Sequence, residues 1–389
     1  MIFGDNVNQV RDRFILVGIG LVLLVIVAGI IFQLQYTAWD FRNNLWGPSH
    51  LVVTGRDPYA ISQLFPGSNS VWMPMIVGVA FWMGYLPEAI ATNLWLVANL
   101  AAYAVVVVLS LPQSERNDTK KPALLWFGAA FLGAYLLPSY ISLLVLGQIG
   151  VFISLLMLLA AIHVRQRPML AALLLVLAAA KPQLLILCGP GLLIAVYREH
   201  NWGVVLRFVL TAVVAALLML IPLCISVPGW LDSFFVALGR NPQWAQPSTL
   251  YILSLAIGLQ GALVIFALLA VGVFVLVMRM WWRTDNYSQT MIWTLALTTI
   301  VTPYIWSWDF VLLVPLFVWV LFDVKTLLAR LLIVIGYSAC WSLFMYIRIA
   351  TNNSDHLYGW LPWSMLAIVL LSYAVSRLQS ISFAQKQIS

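Results

Sequence analysis

VWMPMIVGVAFWMGYL, residues 71–86, is the stretch on which the fold turns. It is almost wholly apolar, yet it has only 16 residues and Pro74 near its start. A helix needs about 20 apolar residues to cross the hydrocarbon core of a bilayer. Counted as a span, it would carry the loop 113–122, with Arg116, Lys120 and Lys121, to the outer side. Counted as a re-entrant or interface-lying helix, it leaves that loop inside, where Lys and Arg accumulate. We therefore expect it not to cross.

Working outward from there, the chain is 63% hydrophobic and only 8% charged, with a mean hydropathy of +0.98. No water-soluble surface can be built from that balance, since ordinary soluble domains carry about 25% charged residues. Helices that satisfy their own backbone polar groups are the structures that cross lipid. The apolar runs predict twelve of them, at about 14–36, 88–111, 123–140, 142–163, 168–180, 183–197, 204–224, 256–278, 287–302, 310–322, 327–346 and 361–376. The expected fold class is an all-α polytopic membrane protein, one transmembrane domain over residues 1–389. The first run follows Arg11 and Arg13 and is too long for a signal-peptide core, so we read it as a retained span.

With both termini cytoplasmic, only Arg42, Arg56, Lys181, Arg240 and Arg348 of the 20 basic residues fall on the outer side, leaving 15 inside. The net charge of +7 thus reflects topology rather than nucleic-acid binding. The three cysteines sit singly in apolar runs and form neither a disulfide framework nor a metal spacing. The outer loops are 37–86, 226–250, 303–309 and 347–360. No Rossmann or P-loop glycine motif and no internal repeat occurs in the chain.

The outer charges are the candidates for chemistry. Asp40 stands between Trp39 and Phe41 where the first span ends, and an acid there is costly unless used or paired. It reads either as a general base with a tuned pKa or as a partner of Arg42 or Arg56 that holds the loop. Gly55-Arg56-Asp57-Pro58-Tyr59 reads as a turn built by Asp57, with Arg56 free to bind an anion or a lipid headgroup. Lys181 precedes Pro182 between two short spans, so its ammonium is recessed enough to hold a phosphate, or else it snorkels to the interface. Gln148 is able to share that cavity. Trp306, Trp308 and Asp309 form an aromatic cluster with an acid, either an interfacial belt or a surface for a sugar or isoprenoid tail. Arg240, Arg348 and His356 are weaker candidates, for sugar or lipid contacts.

In their order and spacing, Trp39-Asp40-Phe41, Gly55 to Tyr59, Gly147-Gln148, Lys181-Pro182 and Thr302-Pro303 leading to Trp306-Ser307 resemble the GT-C class of polyprenol-phosphate-sugar-dependent glycosyltransferases, most closely glycosyltransferase family 87. The resemblance implies a GT-C fold with juxtamembrane helices in the first outer loop, 71–86 among them. It puts Asp40 at the position of the catalytic aspartate, and Arg56, Asp57, Gln148 and Lys181 at positions that line the donor site. Two positions depart from the family. Trp72-Met73-Pro74 stands where Tyr-Pro-Pro is frequent, and Trp308-Asp309-Phe310 follows the Trp-Ser of the later loop, after which many members carry histidine.

The implied activity is an inverting transfer of a sugar, mannose by resemblance, from a polyprenyl phosphate to a hydroxyl of a lipid or glycan acceptor. It takes place at the outer face of a bacterial plasma membrane. The lipid-linked donor is a co-substrate, and no cofactor or metal is expected. Lipids and the two substrates are the expected partners; the sequence says nothing of oligomeric state. The alternative is a secondary transporter or lipid-linked sugar flippase, which would favour repeated halves and midplane charges.

Overall fold

The computed structural model describes residues 38–112, 124–135, 138–240, 246–351 and 354–388. The span expected at 14–36 and the basic loop 113–122 lie outside them. The described residues form fifteen α-helices joined by short helical turns, with no strand among them. They are α1 (residues 39–53, with a π-helical turn at Arg42–Trp46), α2 (Pro74–Val79), α3 (Glu88–Leu109), α4 (Leu124–Tyr135) and α5 (Pro138–Leu146). Next come α6 (Gly150–His163), α7 (Pro168–Ala178), α8 (Cys188–Glu199), α9 (Trp202–Ser226) and α10 (Trp230–Gly239). The last five are α11 (Thr249–Arg283), α12 (Tyr287–Val301), α13 (Val314–Asp323), α14 (Leu327–Ala350) and α15 (Leu361–Ile388).

Among the described residues, five segments are long and apolar enough to cross a membrane: α3, α9, α11, α14 and Asp355–Gln379. A sixth is added if the bent pair Ser139–Leu146 and Gly150–His163 is one span. The 22 residues of α3 alone reach about 33 Å at the helical rise. The long helices α9 and α11 stand at the periphery, where Leu206, Leu217, Ile225, Leu259, Leu268 and Val271 are exposed. So large an apolar surface needs lipid to cover it. The centre is built from shorter pieces: all of α13 from Val314 to Phe322 is buried, and α12 and α3 pack beside it.

Several expected spans are broken, each for a local reason. The run 142–163 is two helices meeting at 109°, because Gly147 takes φ 71° and ends α5. That left-handed conformation favours glycine and closes helix ends: the amides of Gly147 and Gln148 donate back to Leu144 O and Leu143 O. Residues 307–313 wind as a 3₁₀ turn before α13 begins, so the run 310–322 is only partly α-helical. Between α7 and α8 the chain unwinds after Ala178, and Pro182, lacking an amide proton, opens a 3₁₀ turn.

The stretch 71–86 contains one six-residue helix, α2, with a 3₁₀ turn at Phe81–Tyr85, and is far too short to cross. Gly78 lies so close to the Met219 backbone of α9 that no side chain fits there. Trp46 Nε1 donates to Leu86 O at 3.1 Å, and His50 Nδ1 donates to Gly84 O at 2.9 Å, tying the stretch to α1. At the opposite ends of α6 and α8 from the Gly147 and Lys181 breaks, Glu199 accepts from Arg165 at 3.0 Å and from Tyr287 OH at 2.6 Å, joining α6, α8 and α12.

Candidate active site

The breaks in the central helices converge. A cavity of about 600 Å³ opens between α1, the residues before α2, the α5–α6 break, the α7–α8 break and the loop before α13. Its walls include Trp39, Asp40, Asn44, Gln148, Lys181, Trp306, Trp308 and Arg348.

Asp40 sits in the first turn of α1 and faces the cavity. Gln148 Nε2 donates to its Oδ2, and Asn44 Nδ2 donates to its Oδ1 at 3.3 Å. Gln148 reaches Asp40 because Gly147 turns the chain there, and a Cβ on Gly147 would come within 2.8 Å of Phe41 Cβ. Phe41 stacks on Trp95, whose Nε1 donates to Gly147 O at 2.8 Å, so both sides of the contact are held by one indole. Asn44 lies within the π-helical turn and accepts from Val71 N at 2.8 Å, which anchors the first loop beside the carboxylate. The pairing of Asp40 with Arg42 or Arg56 is not formed: Arg42 lies over the Phe65 ring, 4.1 Å from its centroid.

Burial pushes the Asp40 carboxyl up to about 6 from its ordinary 3.8. The charge of Lys181 and the Gln148 amide pull it back, and the negative charge of Asp309 raises it again. Asp40 is therefore able to take a proton near neutral pH and to release it.

Lys181 follows α7 and is buried, with Nζ 2.7 Å from Asp309 Oδ1. Met73 N donates to Ala180 O and brings the first loop over the junction. Asp309 is wholly buried and faces Lys181 rather than the cavity, unlike the sugar contact expected of it. Its Oδ2 accepts from Trp306 N at 3.3 Å, and Trp306 stacks on Trp308 with centroids 5.0 Å apart. The aromatic pair thus forms part of the cavity wall.

Arg56 and Asp57 are outside the cavity. Arg56 is exposed and donates to Thr54 Oγ1, while Asp57 Oδ1 accepts from Tyr59 N at 2.9 Å, as in a turn. Arg240 is exposed at the end of α10, and His356 lies on the turn Asp355–Tyr358 near Tyr251, away from the walls. Arg348, on the last turn of α14, does line the cavity and donates to Ser142 Oγ at 2.9 Å. Sequence reasoning missed Asn44, Ser142 and Asp355. The Asp355 carboxylate accepts from Ser307 N at 3.0 Å and from Ser307 Oγ at 2.6 Å, linking two outer loops. An asparagine one turn after Asp40 was a usable signal; the other two have no local one.

A family model described as glycosyltransferase family 87 matches residues 73–314, well over half of the chain. The chain belongs to glycosyltransferase family 87. No curated protein and no solved structure matches it. Family 87 is of the GT-C class, so the protein is a membrane glycosyltransferase, and the transporter alternative gives way to an enzyme with sugar donor and acceptor substrates. The family 87 match takes in Gln148, Lys181, Trp306 and Asp309; Asp40 precedes it and Arg348 follows it.

Proposed function

We propose that the protein moves a mannosyl group, with inversion, from a polyprenyl-phosphate donor to a hydroxyl of a lipid or glycan acceptor. The reaction takes place at the outer face of a bacterial plasma membrane. The scaffold is a GT-C fold of about twelve spans with both termini cytoplasmic and α2 as a juxtamembrane helix. The observation that carries the reading is Asp40, a carboxylate raised to about 6, set in the same cavity wall system as the recessed Lys181.

In this reading Asp40 takes the proton of the acceptor hydroxyl as that oxygen attacks the anomeric carbon. The bond from the anomeric carbon to the donor phosphate oxygen breaks, and its electron pair leaves on the phosphate. One displacement inverts the centre. The leaving group is already an anion, so it needs positive charge more than a general acid, and Lys181 supplies it. Gln148 and Asn44 hold Asp40 in place, and the Trp306–Trp308 stack offers a flat face to sugar or isoprenoid. No cofactor enters the scheme beyond the lipid-linked donor itself.

The test uses purified protein in nanodiscs with labelled polyprenyl-phosphate mannose and candidate acceptors, comparing wild type with Asp40→Asn. Transfer by wild type and its loss, by at least about a hundredfold, in a folded Asp40→Asn variant is the expected result. Undiminished transfer by Asp40→Asn removes the base assignment. Failure of wild type to bind or consume any polyprenyl-phosphate sugar removes the donor.

A further inference from the structure

Charge in the cavity does not balance on Lys181 alone. Its ammonium is held 2.7 Å from Asp309, with both side chains buried, so the pair presents no net charge. Asp40 adds a carboxylate to the same walls. A phosphate entering such a site would meet a negative field unless a second cation faced it. Among the described residues, Arg348 is the other basic side chain on the cavity wall.

Arg348 is also unspent. Its Nη1 donates to a neutral acceptor, Ser142 Oγ, and no carboxylate among the described residues lies within ion-pair distance. Asp355 is close enough to feel its charge, yet both Asp355 oxygens are taken up by Ser307. A guanidinium fixed at one nitrogen, with its other donors open, is suited to a two-pronged grip on phosphate oxygens. Arg56, which the sequence marked for that task, is on the exposed turn instead.

We propose that Arg348, oriented by Ser142, binds the donor phosphate together with Lys181 and supplies the net positive charge that Asp309 takes from the lysine. The proposal rests on the lipid-phosphate donor reading above. It places a donor-binding residue on α14, beyond the stretch that matches the family.

The experiment measures binding of farnesyl monophosphate, and of uncharged farnesol, to the full-length protein in phosphatidylcholine nanodiscs. Wild type is compared with Arg348→Gln, which keeps a donor for Ser142 while losing the charge, and with Arg348→Lys. Farnesyl phosphate should bind Arg348→Gln about ten- to a hundredfold more weakly than wild type, as expected for loss of a charge-assisted contact, with farnesol unchanged and Arg348→Lys in between. Equal farnesyl phosphate binding by wild type and Arg348→Gln overturns the assignment and leaves the donor reading intact. Loss of farnesol binding along with farnesyl phosphate also overturns it, because Arg348 would then be shaping the cavity. Absence of farnesyl phosphate binding to wild type overturns both the assignment and the donor reading.

Discussion

In the proposed mechanism the buried Lys181–Asp309 pair joins stability to catalysis. At 2.7 Å, two unit charges attract by about 6 kcal/mol at an effective dielectric of 20, before desolvation is counted. Desolvation costs several kcal/mol for each ion, so the intact pair contributes little net stability. Removing one partner is different, because the survivor stays buried without compensation. Lys181→Met and Asp309→Leu should each destabilise the protein by about 3–5 kcal/mol, while the double variant loses much less than the sum. The assay is a reversible SDS titration followed by far-UV circular dichroism, since 18 tryptophans make fluorescence hard to assign to one region. All three variants should lose transfer activity, so the double variant would be stable and inactive. Single variants that each cost under about 1 kcal/mol, or additive costs in the double, would refute a tightly coupled buried pair.

Three other outcomes are expected. With Asp40 as the proposed base, active only when ionised, kcat/KM should rise with pH through about 6 and then level off, and a flat profile from pH 5 to 8 would count against the role. The same raised carboxyl binds its proton more tightly when folded, so its contribution to stability is full below 3.8 and is lost as pH climbs through about 6, a trend that Asp40→Asn should flatten in pH-dependent melting. Gly147→Ala forces a side chain into a left-handed backbone against Ala38 and Phe41, and should cost about 1–3 kcal/mol with a fall in kcat as Gln148 shifts; an unchanged melting temperature would contradict it. Arg56→Ala, outside the cavity, should leave the KM for the lipid donor within about twofold, as surface substitutions away from a site usually do.

What the sequence determined by itself follows from solvent and backbone chemistry. Apolar runs long enough to cross a bilayer specify membrane helices wherever they occur, so the all-α class was legible. So was the non-crossing character of 71–86, where Pro74 and a length of 16 residues rule out a span. Asp40, Gln148 and Lys181 stood out as well, because a polar group beside aromatics, a glycine or a proline in an apolar chain carries a visible cost. The tertiary structure decided which charges meet. The partners Lys181 and Asp309 are 128 positions apart, and Arg348 lies 206 positions from Ser142. Nothing local marks such pairs, since an ion's choice of neighbour depends on how helices pack and break, not on the residues beside it. That is why Arg56, the candidate the sequence favoured, comes to stand on an exposed turn, and Arg348, the weaker one, in the wall of the cavity.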